Sequence, residues 1–90
     1  MADVYRIALK TGAAKNLGGL QPKLRARILA KVQAVSADPT GTHSQVKALK
    51  GKLDGLYRLR IGDWRVIYEL DHQRQVLVML TVKARGQAYD

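Results

Sequence analysis

Residues 56–68, LYRLRIGDWRVIY, contain the pattern that decides the fold. Two runs of alternating side chains flank Gly62-Asp63, and this arrangement predicts a β-hairpin with a two-residue loop. In that register Arg60 lies directly opposite Arg65. Because successive side chains of a strand point to opposite faces, the alternation also sorts the hairpin into two unlike faces.

One predicted face of the hairpin is apolar and is expected to pack against helices. This face consists of Tyr57, Leu59, Ile61, Trp64, Val66 and Tyr68. The opposite face is largely basic and consists of Arg58, Arg60, Arg65, Ile67 and Glu69. Directly opposed like charges cost up to about 1 kcal/mol relative to neutral pairs. The pairing of Arg60 with Arg65 therefore causes a local loss of stability.

A bound anion would offset that loss, and the planar guanidinium fork fits phosphate oxygens better than an ammonium group does. The sequence therefore favours a phosphate site on this face. In the alternative interpretation, Glu69 pairs with one arginine and the others point into water. The C-terminal segment adds Lys83, Arg85 and Tyr89. These three lie near the same cations if the last strand pairs with the second strand of the hairpin.

Hydrophobic periodicity and turn residues predict the other elements. The predicted strands are residues 4–7, 46–49, 56–61, 64–70 and 75–82. A first helix is predicted over residues 8–17, and a second begins at Pro22 and ends before Pro39. The order β-α-α-β-β-β(-β) indicates an α+β domain, in which two N-terminal helices pack on one face of a mainly antiparallel sheet.

The composition narrows the class of protein. A chain of 90 residues without internal repeats forms one domain, residues 1–90, and 47% hydrophobic with 26% charged residues is typical of a globular fold. Cysteine is absent and the two histidines, His43 and His72, lie far apart in sequence, so neither a metal nor a cofactor is expected. No run approaches the roughly 20 apolar residues of a membrane span, so a cytoplasmic protein without membrane contact is expected.

Net charge is the strongest compositional signal. Sixteen Lys and Arg residues against seven Asp and Glu residues give a formal charge of +9. Such a field concentrates polyanions at the protein surface. Nucleic acid, an acidic protein partner, or both are therefore expected. A basic surface that serves solubility alone is the alternative.

A resemblance to a known family rests on four features: the order of the elements, Leu49-Lys50-Gly51, the string YRLRIGDWRVIY at residues 57–68, and R-x-x-x-Y at residues 85–89. With these features, essentially the whole chain resembles the RelE/ParE toxin superfamily of bacterial toxin–antitoxin modules, most closely its RelE branch. The resemblance implies a toxin that enters the ribosomal A site and cuts messenger RNA without a metal, by attack of a ribose 2′-hydroxyl on the adjacent phosphate. It also implies an acidic, RelB-like antitoxin that silences the toxin, with operator DNA bound only through their complex.

The resemblance further implies a set of functional residues. The implied catalytic residues are Arg58, Arg60, Arg65, Arg85 and Tyr89, and the residues expected to contact RNA are Lys47, Lys50, Lys52 and Lys83. RNA-cutting members of the family often have lysine where this chain has Arg58 and Arg60. Because an arginine stays protonated, Arg58 is a poor general base. Lys50, Lys52 or Tyr89 would then take that role, or catalysis would depend mainly on electrostatics and positioning.

The sequence is also compatible with two other functions. The ParE-like branch of the superfamily poisons DNA gyrase, and it differs from the RelE branch in its site rather than its fold. A non-catalytic nucleic-acid-binding module would show salt-sensitive, sequence-independent binding and no cleavage. The cluster of arginines together with Tyr89 favours the RNA-cutting enzyme over the gyrase poison.

Overall fold

The computed structural model describes residues 4–85, which form strands and helices in the predicted order. The strands are β1 (Arg6–Leu9), β2 (Val46–Ala48), β3 (Leu56–Ile61), β4 (Trp64–Asp71) and β5 (Val76–Ala84). The helices are α1 (Thr11–Gly18) and α2 (Pro22–Ser36), and a 3-10 turn at Gly51–Leu53 precedes β3. Neither helix of this described range is long and apolar enough to cross a membrane.

The strands form one sheet in the order β1-β5-β4-β3-β2. Strands β2 to β5 are an antiparallel meander, whereas β1 runs parallel to β5. Because β1 and β2 are opposite edges of the sheet, the two helices between them in the chain cross one sheet face. The predicted α+β fold with a mainly antiparallel sheet is confirmed.

The predicted register of the β3–β4 hairpin is also confirmed. Ile61 pairs with Trp64 and Arg60 pairs with Arg65, so that two residues make up the loop. Its first residue, Gly62, has a φ of 57°. The first position of such a loop requires this left-handed backbone conformation, which glycine adopts without steric strain.

Two tyrosines extend the apolar side of the hairpin. Tyr57 and Tyr68 are cross-strand partners whose rings stack with centroids 5.3 Å apart and an interplanar angle of 17°. Burial raises the pKa of the Tyr68 hydroxyl well above its ordinary value, and the neighbouring Tyr57 adds a smaller increase. Tyr68 is therefore a neutral core residue rather than a titrating group.

The apolar face of the hairpin packs against α1 and α2, as predicted. The buried members of this core are Ala13, Leu17, Ile28, Val32, Val35, Leu59, Ile61, Val66, Tyr68, Leu77, Met79 and Val82. Trp64 lies at the margin of the core and is only partly buried. Helix α2 contributes Ile28, Val32 and Val35, which follow the helical period along one side of the helix.

The boundary between β1 and α1 differs from the prediction. Ala8 and Leu9 belong to β1 and pair with β5, and the helix predicted over residues 8–17 begins only at Thr11. Helix propensities differ by less than about 1 kcal/mol per residue, so pairing with a neighbouring strand overrides the preference of alanine. The residue before the helix is Lys10, whose side chain makes no capping hydrogen bond. The sequence therefore has no capping residue here that would indicate where the helix begins.

Helix α1 covers the edge of β5 beyond the end of β1. Asn16 Oδ1 accepts a hydrogen bond from the Val82 N–H at 2.9 Å and another from the Thr81 hydroxyl at 3.2 Å. These bonds satisfy an edge N–H group that β1 does not reach. They also hold the C-terminal part of β5, which carries functional candidates.

We expect Leu77→Ala to lower the free energy of unfolding by about 2–5 kcal/mol, because the Leu77 side chain is fully buried and its truncation leaves a cavity. Leu9→Ala is the matched control. Leu9 is 41% exposed on the edge strand, so its loss should stay within about 1 kcal/mol. Urea unfolding followed by tryptophan fluorescence measures both variants, and equal losses would show that the core lies elsewhere.

Candidate functional site

The register of the sheet brings five basic side chains onto the face opposite the helices. These side chains, called the basic face below, are Lys47, Arg58, Arg60, Arg65 and Lys83. They form two rows across the strands, with Lys47 opposite Arg58 in the first, and Arg65 between Arg60 and Lys83 in the second. Because paired strands lie about 4.8 Å apart, each row places cations side by side.

Acidic side chains of the same face lie at the end of β4 away from the hairpin loop. Glu69 and Asp71 share the face of Arg65, since they lie four and six positions after it along the strand. Asp71 Oδ2 lies 3.5 Å from Arg74 Nη1 in the turn after β4. Along β4, Arg65 therefore lies next to the hairpin loop, which also contains Asp63, whereas Glu69 and Asp71 lie at the opposite end of the strand.

The opposed arginines of the second row point in different directions. The Arg65 side chain is buried, only 6% exposed, and its Nη1 donates to the carbonyls of Gly62 at 3.0 Å and Trp64 at 3.1 Å. Arg60 is exposed, and its Nε donates to Gln45 Oε1 at 3.1 Å. Arg65 thus lies on the predicted face of the hairpin but is buried, because its guanidinium group turns toward the hairpin loop.

Gln45 is a site residue that the sequence did not reveal. Its carbonyl accepts a hydrogen bond from the Arg60 N–H at 2.9 Å, while its side chain binds the Arg60 guanidinium group. These two contacts fix both the backbone and the direction of the Arg60 side chain. Gln45 lies in a loop of small and polar residues, where no local pattern distinguishes it from its neighbours.

The two lysines suggested as general bases lie further from Arg58 along the sheet than Lys47 does. Arg58 is half-buried and lies opposite Lys47. Lys50 and Lys52 are exposed in the segment between β2 and β3, at the end of the sheet away from the hairpin loop. The lysine directly opposite Arg58 is therefore Lys47.

Strand β5 ends beside the hairpin loop, as predicted for a last strand antiparallel to β4. It extends further than predicted, so that Lys83 belongs to the sheet and pairs with Arg65. Arg85 is exposed, and its N–H donates a hydrogen bond to the Asp63 carbonyl at 2.6 Å. The structure thus brings Arg85 next to the second row of the basic face. Tyr89 lies outside the described residues.

Both histidines make hydrogen bonds away from the basic face. His43 Nε2 donates to the Asp38 carbonyl at 2.7 Å, and His72 Nδ1 lies 2.7 Å from the Tyr5 hydroxyl. Between residues 4 and 85, no three His, Asp or Glu side chains lie close enough together to hold a metal ion. What the basic face offers is positive charge and N–H donors, which suit phosphate oxygens.

Comparisons with known proteins give a consistent result. Residues 1–89 match the family model for the ParE toxin of type II toxin–antitoxin systems, parDE. Toxin RelE of Mycobacterium tuberculosis is 28% identical over 85 residues, which cover 94% of this chain and 86% of that protein.

Two solved complexes share the fold. The toxin–antitoxin complex RelBE2 of Mycobacterium tuberculosis matches with a TM-score of 0.80 and 26% identity, covering 97% of this chain and 97% of that chain. The archaeal RelE–RelB complex of Pyrococcus horikoshii OT3 matches with a TM-score of 0.76 and 32% identity, covering 96% of this chain and 100% of that chain.

We expect Arg65→Met to lower the free energy of unfolding by about 1.5–3 kcal/mol, because it removes buried hydrogen bonds from a charged donor. Arg60→Met is the control in the same row. Arg60 is exposed, so its loss should stay below about 1 kcal/mol. Urea unfolding measures both variants, and an Arg65→Met protein as stable as the parent would contradict a structural role for this side chain.

Proposed function

Because the chain belongs to the ParE toxin family of type II toxin–antitoxin systems, we propose that it is a RelE-type toxin that inhibits translation. Its proposed activity is that of a ribosome-dependent endoribonuclease that cuts messenger RNA in the A site without a metal. The resemblance of the sequence to the RelE/ParE superfamily is confirmed by the family match and by the RelE relatives. The names of those relatives favour the RelE branch for this chain.

The observation that carries the proposal is the second row of the basic face. Arg60, Arg65 and Lys83 lie side by side on three neighbouring strands, and Arg85 follows at the hairpin loop. In-line attack on a phosphodiester builds negative charge on the phosphate oxygens. Cations held on rigid strands stabilise that charge more in the transition state than in the ground state.

In the proposed reaction the ribose 2′-oxygen bonds to the adjacent phosphorus while the bond from phosphorus to the 5′-oxygen breaks. The products are a 2′,3′-cyclic phosphate and a 5′-hydroxyl. One proton leaves the attacking hydroxyl for a general base, and another reaches the departing 5′-oxygen. One bond from phosphorus to oxygen thus replaces another, with no change in oxidation state.

The proposed roles follow from exposure and position. Arg60 and Lys83 are exposed and would bind the phosphate oxygens, and Arg85 would meet the leaving 5′-oxygen beside the hairpin loop. Arg65 would contribute charge while it holds the loop. Tyr89 is proposed to stack on a base or to orient the attacking hydroxyl.

The first row is proposed to bind RNA rather than to transfer protons. Arg58 would contribute positive charge next to Lys47. Lys50 and Lys52 would bind the strand further along, at the end of the sheet away from the hairpin loop. Tyr89 is then the proposed general base, because Lys50 and Lys52 lie at the other end of the sheet from the second row.

The proposed partners follow from charge and from the relatives. An acidic, RelB-like antitoxin that folds on contact would neutralise the toxin, and operator DNA would be bound only through their complex. Of the two solved relatives above, one is the toxin–antitoxin complex RelBE2 and the other is a complex of RelE with RelB. The ribosome and its messenger RNA would be met in the cytoplasm.

Inhibition of DNA gyrase is the second candidate function, because the family model that matches the chain is that of ParE toxins. Brief expression in bacteria followed by mapping of transcript ends separates the two functions. Cuts at fixed codon positions in translated messages are the expected result. Intact messages together with broken chromosomal DNA would overturn the nuclease in favour of gyrase.

We expect Arg60→Gln and Arg85→Gln each to reduce cleavage of ribosome-bound messenger RNA by about 10²- to 10³-fold, the usual effect of removing one donor to transition-state charge. Arg74→Gln is the matched control, because Arg74 is 82% exposed in the turn after β4. Single-turnover cleavage rates at saturating ribosome concentration measure the effect. Rates equal to that of the parent in the Arg60 and Arg85 variants would place the site elsewhere.

We expect Gln45→Met to reduce the cleavage rate by about tenfold, because it frees the Arg60 guanidinium group from its fixed direction. Stability should be unchanged, since the carbonyl of residue 45 still binds the Arg60 N–H. Gln73→Met in the exposed turn serves as the control. The sharpest test is the double variant with Arg60→Gln, in which Gln45→Met should have no further effect. An additive loss would contradict action through Arg60.

A further inference from the structure

Helix α2 carries a row of cations that the basic face does not include. Its sequence, PKLRARILAKVQAVS, contains four basic and no acidic residues. Lys23, Arg27 and Lys31 are exposed and follow one another at intervals of four residues, so they lie along one side of the helix. These three residues are called the α2 stripe below. Like charges at this spacing destabilise a helix, and a bound anion would offset that loss of stability.

The fourth cation of α2 does not belong to the stripe. Arg25 is half-buried, and its Nη2 donates to the Leu20 carbonyl at 3.0 Å. That bond closes the turn between α1 and α2, so Arg25 has a structural role. The three residues of the α2 stripe are exposed instead, and their charge faces solvent.

The α2 stripe borders the basic face at two points. A Cβ atom added to Gly62 would lie 3.6 Å from Arg27 Nη2, so this guanidinium group sits beside the hairpin loop. Lys31 lines a groove of about 320 Å³ whose wall includes Gln45, the residue that holds Arg60. Cations therefore continue from the sheet, past the loop and the β2 edge, onto the helix.

We propose that the α2 stripe binds the phosphates of a single RNA strand that continues from the basic face around this edge of the molecule. Residues four apart in a helix lie about 6 Å apart along its axis, a spacing close to that of successive phosphates in a nucleic-acid strand. Charge complementarity and continuity with the basic face both favour this occupant. The inference rests on the proposed function only in taking RNA as the ligand of the basic face.

The proposed path of the RNA strand from the basic face onto the α2 stripe is called the track below. Binding of RNA analogues that lack the attacking 2′-hydroxyl tests this track. The probes are 2′-O-methyl oligonucleotides of about 4 and about 12 nucleotides, the shorter one spanning only the sheet. The test variant replaces Lys23, Arg27 and Lys31 with Gln, and the control variant replaces Arg6, Lys10 and Arg74 with Gln. Both variants lose the same charge, and thermal unfolding shows that each is folded.

For the long probe, the slope of log K against log salt should fall in magnitude by about 2 in the test variant, since each lost phosphate contact removes about 0.7. The short probe should bind the test variant as it binds the parent. The control variant should keep most of the slope. The single variant Arg27→Gln, with a loss of about 0.7, serves if the triple variant fails to fold.

Three results would overturn the track. They are an equal loss in test and control variants, a parent that binds both probes equally, and a test variant that keeps its affinity for the long probe but loses that for an acidic antitoxin. The last result would assign the stripe to a protein partner. Because the assay needs neither ribosomes nor cleavage, a parent that binds RNA along this track but leaves translated messages intact would contradict the proposed function alone.

Discussion

The register of the β3–β4 hairpin is the constraint on which both the core and the basic face depend. The left-handed conformation of Gly62 closes a two-residue loop, and this loop places Arg60 opposite Arg65. A slip of one residue would move Leu59 and Val66 out of the core and turn arginines into it. Burial of the apolar face against the helices stabilises only this register and not the slipped one. The cations then share the opposite face because the core excludes them.

The like charges of this face are accommodated largely within the protein. Arg65 turns its guanidinium group toward the carbonyls of the hairpin loop, whereas Arg60 turns toward Gln45 at the β2 edge. The repulsion between them is therefore weaker evidence for a bound anion than it is in the sequence alone. Stronger evidence comes from position, since the second row of the basic face lies at the end of β4 next to the hairpin loop, whereas the carboxylates of Glu69 and Asp71 lie at the other end.

The parts of the fold that could be predicted are those that depend on local patterns. Turn chemistry and alternation gave the hairpin and its faces correctly, and the helical period gave the buried side of α2. The predicted start of α1 is wrong because the pairing of Ala8 and Leu9 with β5 outweighs their helix propensity. The contact between Asn16 and β5 joins residues 66 positions apart, and no local pattern indicates such a bond.

The sequence by itself determined the hairpin, the sorting of side chains between its faces, the excess of positive charge and the resemblance to the RelE/ParE superfamily. These properties depend on neighbours along the chain, where spacing alone carries the information. Only the tertiary structure decided that Arg65 is buried, that Gln45 holds Arg60 and that Arg27 lies beside Gly62. The direction and exposure of a side chain depend on contacts between distant segments, and those contacts exist only once the helices have packed on the sheet.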